Sequence, residues 1–248
     1  MREILYGRNA VKEVLRAGRR RFYKLLLARG MKETGVIADI TAMASKDGVP
    51  IQRLERRQLD GIGDVNHQGV AAEVSPYPYV DLEDILAAPE EKREVPLLLL
   101  LDCLQDPQNL GTLLRTAEAV RVHGVVIPHR RTASITPAVV NSSAGAVEHL
   151  LVARVTNLVR TMEKLKERGL WIVGLENVPE AKAYHEVDLN VPLALVVGSE
   201  GRGMRRLVRK ACDFLIRLPM RGQVGSLNAA VAGSIALYEV QRQKGMVI

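Results

Sequence analysis

Residues 193–204 read Leu-Ala-Leu-Val-Val-Gly-Ser-Glu-Gly-Arg-Gly-Met, an apolar run that passes directly into a loop of glycines and polar residues. A short apolar run without alternating polar residues is typical of a strand that is buried on both faces of a sheet. In open α/β sheets, ligands bind in the loops that follow such strands. The stretch therefore predicts a parallel sheet with a ligand-binding loop at its carboxyl edge.

Similar apolar runs occur on both sides of this stretch. They predict strands at residues 96–101, 124–128, 170–175, 193–197 and 214–218. Between most of them, apolar residues recur every three or four positions, which is the helical period, and the last predicted helix extends from about Leu227 to Gln243. Trp171 begins one of the strands, so we expect it in the core. The fold class predicted for residues 96–248 is α/β, a parallel sheet covered by helices.

The chain before residue 96 divides into two parts by charge and by pattern. Residues 1–76 hold 14 basic and 9 acidic side chains and alternate between short strands and helices, which predicts a small α/β domain. Residues 77–95 hold 2 basic and 6 acidic side chains between prolines, and we interpret them as a linker. Residues 96–248 are basic again, with 19 basic and 13 acidic side chains. The predicted organisation is thus a domain at 1–76, a linker at 77–95 and a second domain at 96–248.

Composition excludes several classes of protein. A hydrophobic fraction of 47% is too high for a disordered chain, and the apolar run Leu97–Leu101 is too short to cross a bilayer. The first residues lack the features of a secretory signal, and the 2 cysteines have no metal-ligand spacing, so we expect a cytoplasmic protein without a metal. The net charge of +7 is compatible with a nucleic-acid partner and equally with an ordinary basic protein.

Three loops that follow predicted strands carry the polar and glycine residues expected of a binding site. They lie at residues 106–117, 197–204 and 218–228. Gly198, Gly201 and Gly203 give the spacing G-x-x-G-x-G, which reverses the dinucleotide fingerprint, and no lysine followed by serine or threonine completes a P-loop. The loops therefore fit neither common nucleotide-binding motif.

Taken together, the three loops resemble the motifs of the SpoU/TrmH (SPOUT) family of RNA ribose 2′-O-methyltransferases. The matching residues are Asn109-x-Gly111-x-x-x-Arg115-Thr116-Ala117, then Val197-Gly198-Ser199-Glu200-Gly201-x-Gly203-Met204, then Leu218-Pro219-Met220 with Ser226-Leu227-Asn228. The resemblance covers residues 96–248. Residues 1–76 resemble the L7Ae/L30e-type RNA-binding domain of many members. Residues 6–11 and 67–72 are similar to those of the RlmB subgroup, which methylates a guanosine of 23S ribosomal RNA.

The resemblance implies a deep trefoil knot in the second domain, a homodimer, and S-adenosylmethionine as cofactor. Its cofactor-binding residues would be Gly174, Leu175, Gly198, Leu218, Met220, Ser226 and Leu227, with Gly198 allowing the cofactor to approach the backbone. The implied reaction is 2′-O-methylation of a guanosine in 23S ribosomal RNA. Two alternatives stay open: methylation of transfer RNA or another ribosomal site, and a non-catalytic RNA-binding or ribosome-assembly factor.

The same resemblance implies that the catalytic residues are Arg115, Asn109, Glu200, Asn228 and Ser226. A guanidinium is a poor general base, so we expect Arg115 to stabilise negative charge or to hold a phosphate. Ser226 has a second interpretation as the N-cap of the last helix. The candidates for RNA binding are Arg8, Arg16, Arg19, Arg20, His67 and Arg130, although a solvated loop explains the basic clusters equally well.

Overall fold

The computed structural model describes residues 1–245, which divide into two compact units. One unit contains Met1–Pro78 and Ile135–His149, and the other contains Tyr79–Ser134 and residues 150–245. The predicted second domain, 96–248, was continuous, whereas residues 135–149 belong with the first unit. The final three residues of that predicted range, 246–248, lie outside the described residues.

Eleven strands and nine α-helices are formed within residues 1–245. In chain order they are β1 (Glu3–Tyr6), α1 (Arg8–Ala17), β2 (Phe22–Ala28), α2 (Val36–Lys46), β3 (Ile51–Leu54), α3 (Arg56–Asp60), β4 (Val70–Val74), α4 (Leu82–Lys92), β5 (Leu97–Asp102), α5 (Pro107–Ala119), β6 (Gly124–Pro128), α6 (Pro137–Ser142), β7 (Val152–Val155), α7 (Leu158–Glu167), β8 (Trp171–Leu175), β9 (Lys182–Ala183), β10 (Leu193–Gly198), α8 (Arg206–Ala211), β11 (Phe214–Arg217) and α9 (Ala229–Gln243). None of these helices is long and apolar enough to span a membrane.

The first unit is built on a four-stranded sheet with the order β1-β4-β2-β3. Strand β4 is antiparallel to β1 and β2, and β3 is parallel to β2. Helix α1 packs on α2 and on the short 3₁₀ helix Ala146–His149. Strand β1 was not predicted, because its four residues are too few to establish a period.

A buried ion pair joins residues 135–149 to the sheet of the first unit. The guanidinium of Arg20 donates to both carboxylate oxygens of Glu148, at 3.0 and 2.7 Å, and to Glu3 at 2.8 Å. The side chains of Arg20 and Glu148 are fully buried. The prediction that Arg20 binds RNA is therefore wrong for this fold, because its guanidinium is enclosed and already paired.

Two further RNA-binding candidates, neither of them fully exposed, also have internal partners. His67 is buried, with Nε2 2.8 Å from a carboxylate oxygen of Asp60 and Nδ1 accepting from the backbone N–H of Gly69 at 2.9 Å. Arg19 donates to the hydroxyl of Tyr77 at 3.3 Å and to backbone carbonyls. His67 is thus a structural residue rather than part of an RNA surface. Arg8 and Arg16 are exposed.

The second unit is a seven-stranded sheet with the order β7-β6-β5-β10-β8-β11-β9, and all of its pairings are parallel. This confirms the predicted α/β class with a parallel sheet. Strand β5 is buried along its whole length, as its unbroken leucines predicted. Trp171 is 50% exposed, contrary to expectation, because it stands at the first position of β8.

Most of the segment predicted as a linker is ordered structure of the second unit. Residues 82–92 form α4, capped by Asp81, and Ile85 is fully buried against β6. A Cβ at Gly124 of β6 would lie within 2.7 Å of the Ile85 side chain, so the glycine makes room for this contact. Most acidic residues of this segment therefore belong to a helix that packs on the sheet of the second unit, and not to a flexible linker.

We predict that Arg20→Met lowers the free energy of unfolding by about 3 to 5 kcal/mol, because it leaves the Glu148 carboxylate buried without a partner. Urea denaturation followed by circular dichroism measures the loss. The control Arg16→Met removes a guanidinium that is 67% exposed and should cost less than about 1 kcal/mol. The double variant Arg20→Met/Glu148→Leu should recover part of the loss. If Arg16→Met destabilised the protein as much as Arg20→Met does, the argument would be contradicted.

Candidate functional site

The second unit has a cavity at the carboxyl edge of its sheet, where β8, β10 and β11 end. Its volume is about 280 Å³. Six of the seven residues predicted to bind a cofactor line it, namely Leu175, Gly198, Leu218, Met220, Ser226 and Leu227. Gly174 lies outside the wall, where an added Cβ would meet Leu215, Met204 and Cys212 at 2.6 to 2.8 Å. The loops after β8, β10 and β11 thus surround one cavity, and the predicted loop 106–117 does not line it.

The loop after β10 folds back on itself because of two glycines. Ser199 and Gly203 exchange backbone hydrogen bonds of 3.1 and 2.9 Å, which closes a tight turn. Gly203 has φ +63°, a conformation that side-chain-bearing residues rarely adopt, and a Cβ at Gly198 would overlap the backbone of Gly203 and Met204. Gly198 is therefore required by the turn itself, whereas the sequence interpretation assigned it to the approach of a ligand.

A buried carboxylate holds this loop against the neighbouring strand. Asp102, the last residue of β5, is fully buried and pairs with Gly198 in the sheet register. It accepts hydrogen bonds from the backbone N–H and from Nε of Arg205, both at 2.7 Å. The buried carboxylate thus accepts two hydrogen bonds from one residue, and these attach the far end of the loop to β5.

Asn228 connects the three sequence motifs. Its Nδ2 donates to Asn109 Oδ1 at 2.8 Å and to Glu200 Oε1 at 3.0 Å. Its Oδ1 accepts from the backbone N–H groups of Ala230 and Val231 at 2.9 and 3.2 Å, which caps α9. The N-cap interpretation of Ser226 is therefore wrong, because the cap lies two residues later. Ser226 is exposed and lines the cavity.

Arg115 lies on the same helix as Asn109 but does not join this cluster. Asp106 caps α5 by accepting from the backbone of Gln108 and Asn109, both at 3.2 Å. Arg115 is on an exposed face of α5, and within residues 1–245 its guanidinium has no hydrogen bond or ion pair. Helix α5 packs on α9, where Thr116 and Ser234 are joined by a hydrogen bond of 2.8 Å. The guanidinium is therefore available to a ligand.

Glu176 is a residue of the cavity wall that the sequence interpretation missed. It follows β8 directly, and burial raises the pKa of its carboxyl group while Arg209 opposes the shift. Arg209 Nη1 is 3.5 Å from Oε1, and Oε2 is buried without a hydrogen-bond partner. Its position after a buried strand is the same signal that identified the three loops, so Glu176 could have been found from the sequence.

Arginines surround a second cavity that shares the loop after β10. This cavity, of about 960 Å³, is lined by Arg131, Arg202, Arg205 and Arg206. A third, of about 820 Å³, adds Arg130 to Arg131, Arg205 and Arg206. Of these five arginines, only Arg205 has an acidic partner among the described residues. Of these arginines, only Arg130 was predicted as an RNA contact. The others are far apart in the sequence or lie in different loops, and the folding of the sheet brings them to the same cavities.

The part of the chain that the structure describes contains no cluster of three or more His, Cys, Asp or Glu that could hold a metal ion. Burial raises the pKa of the Cys212 thiol to about 12. Desolvation also raises the pKa of Cys103. A thiol is a nucleophile only as its thiolate, so neither cysteine is suited to attack a substrate.

Comparison with known proteins places the chain among RNA-modifying enzymes. Residues 96–238 match the SpoU rRNA methylase family, and residues 4–80 match the substrate-binding domain of RNA 2′-O ribose methyltransferases. The chain is 48% identical over 245 residues to YacO of Bacillus subtilis (strain 168), which is named for the TrmH family of tRNA/rRNA methyltransferases; the match covers 99% of this chain and 97% of YacO.

Two solved structures are similar. The SpoU methyltransferase AviRb of Streptomyces viridochromogenes, crystallised with AdoMet, superposes with a TM-score of 0.82 at 25% identity, covering 99% of this chain and 92% of AviRb. A TrmH/SpoU tRNA modifying enzyme of A. aeolicus has a TM-score of 0.56 at 31% identity, covering 66% of this chain and 83% of that one.

We predict that Asn228→Ala destabilises the second unit by about 1 kcal/mol more than Asn228→Ser does. Serine still caps α9, whereas alanine leaves two helix amides without an acceptor, and both variants lose the bonds to Asn109 and Glu200. Thermal unfolding of the three proteins measures the difference. Equal melting temperatures for the two variants would show that the cap contributes nothing.

Proposed function

The chain belongs to the SpoU/TrmH family of RNA methyltransferases, and we propose on that premise that it methylates the 2′-hydroxyl of a ribose with S-adenosylmethionine as cofactor. The observation that carries the proposal is the cavity at the carboxyl edge of β10 with the Asn109–Glu200–Asn228 cluster beside it. Glycine-rich backbone, apolar walls and a polar cluster occur there together.

The composition of the cavity wall suits an adenosine attached to a charged tail. Leu175, Leu218, Met220 and Leu227 offer apolar contacts to a flat base, and Ser226 and Glu176 offer hydrogen-bonding groups. When bound, S-adenosylmethionine supplies a methyl group made electrophilic by the sulfonium. The protein's task is then to orient a ribose hydroxyl and to stabilise the charge that develops as its proton leaves.

The residues beside the cavity provide these two functions. The Asn228 amide holds Asn109 and Glu200 in one place, which leaves the other Glu200 oxygen and the Asn109 amide hydrogens free to contact a ribose. Arg115 is exposed and has no partner in the described protein, so its guanidinium acts as a clamp on an RNA phosphate or on the developing alkoxide.

For the substrate we propose a guanosine of 23S ribosomal RNA, in keeping with the similarity of residues 6–11 and 67–72 to the RlmB subgroup. The match of residues 4–80 to a substrate-binding domain supports an L30e-like RNA-binding role for the first unit, with Arg8 and Arg16 as exposed contacts. Transfer RNA is the alternative, since YacO is named for both substrates. The proposed setting is the cytoplasm.

We extend the proposal to a homodimer and to a trefoil knot in the second unit. Val231, Ile235 and Tyr238 are 46%, 39% and 51% exposed, and their spacing aligns them along one side of α9, an apolar strip that a second copy would cover. Strand β11, formed after β10, lies on the far side of β8, so the connection between them passes over β8, and the knot is proposed on the family resemblance.

We predict that the purified protein transfers tritiated methyl groups from S-adenosylmethionine to 23S ribosomal RNA, and that Arg115→Ala slows the transfer at least about 100-fold. Arg115 does not line the cavity, so cofactor affinity measured by calorimetry should stay within about twofold of the wild type. Arg121→Ala is the matched control on an exposed arginine. Transfer to no RNA would refute the enzyme, and transfer to transfer RNA alone would refute the substrate.

We predict that the triple replacement of Arg131, Arg202 and Arg206 by glutamine weakens RNA binding. The negative slope of log affinity against log salt should become shallower by about 2, because three phosphate contacts are lost. Filter binding of ribosomal RNA at several salt concentrations measures the slope. The control replaces Arg121, Lys164 and Lys92, which are exposed and line neither arginine-rich cavity. Equal slopes for the two triple variants would mean that only net charge matters.

A further inference from the structure

We propose that Glu176 is a cofactor-recognition residue, whose carboxylate accepts a hydrogen bond from a donor group of the bound methyl donor and so sets its affinity. No sequence motif includes this residue. The inference rests on the proposed function, because the ligand is the cofactor of that reaction. It assigns a role to the one acidic wall residue that the Asn109–Glu200–Asn228 cluster does not use.

The position of Glu176 results from the sheet and from the turn after β10. Its neighbour Leu175 ends β8 beside Val197 of β10, so Glu176 emerges at the same edge as Gly198. The loop passes close to the carboxylate, because a Cβ at Gly203 would lie 2.8 Å from Glu176 Oε1. The glycine thus keeps space open above a carboxylate that forms part of the cavity wall.

The carboxylate is only half satisfied by the protein. The backbone N–H of Met204 and the guanidinium of Arg209 face it, the latter at 3.5 Å, while Oε2 is buried with no donor among the described residues. The side chain is 13% exposed, and burial raises the pKa of the group, as expected for a charge without full compensation. A buried acceptor without a donor is costly, so a ligand that supplies one gains affinity.

The cofactor offers donors in two parts: the adenosine part has the neutral ribose hydroxyls and the adenine amino group, and the methionine part has the cationic ammonium. All of these groups are hydrogen-bond donors to a carboxylate, and a carboxylate has no proton to donate in return. The terminal torsion of a glutamate side chain is broad, so a small rotation turns Oε2 from the protein toward the cavity. Glutamine at this position keeps the shape but removes the charge and one acceptor.

The test is isothermal titration calorimetry of wild type and Glu176→Gln with three probes. S-adenosylmethionine and S-adenosylhomocysteine carry both the adenosine part and the ammonium, whereas 5′-methylthioadenosine keeps the adenosine part and lacks the ammonium. We expect Glu176→Gln to bind S-adenosylmethionine at least about tenfold more weakly. An equal loss for all three probes identifies the adenosine part as the donor, and a loss confined to the first two identifies the ammonium.

The control is Glu180→Gln, an exposed acidic residue four positions later that contributes charge near Glu176 and does not line the cavity. Its affinities should stay within about twofold of the wild type, and thermal unfolding of both variants verifies that they fold. Unchanged affinity of Glu176→Gln for all three probes overturns the inference, as does an equal loss in Glu180→Gln. Failure of the wild type to bind S-adenosylmethionine would instead overturn the proposed function.

Discussion

The site depends on one buried interaction, the carboxylate of Asp102 held by the backbone and side chain of Arg205. Asp102 ends β5 and Arg205 ends the loop after β10, so this double hydrogen bond attaches the loop to the neighbouring strand. That loop carries Glu200 and Arg202 and forms part of the wall of the first two cavities. A charge at 0% exposure is tolerated because both of its hydrogen bonds are short and one comes from a guanidinium.

The arginines of the chain fall into two groups with opposite roles. Arg20 is enclosed with Glu148 and Glu3, and its charge organises the first unit. Arg131, Arg202 and Arg206 have no acidic partner in the described chain and surround open cavities of the second unit. Both groups contribute equally to the net charge of the protein. Only the unpaired group produces a positive electrostatic potential at the surface that attracts an anion. The basic character relevant to RNA is thus concentrated beside the cavity.

Much of the second unit was predictable because its strands are short apolar runs between clear helices. The predicted strand at 124–128 matches β6, and 193–197 differs from β10 by one residue. Strands β7 and β9 were missed, the latter having only two residues. The Ser226 cap was wrong because serine and asparagine are both good caps, and only the backbone shows which of them begins α9.

The sequence by itself determined the parallel α/β class, the three loops of the site and their family, since these depend on local period and on residues at fixed spacing. Only the tertiary structure decided that residues 135–149 join the first unit and that Arg20 and His67 are buried. Burial and partnership depend on residues more than 100 positions apart, such as Arg20 and Glu148. No local pattern contains that information, because the same arginine is solvated or enclosed according to what packs over it.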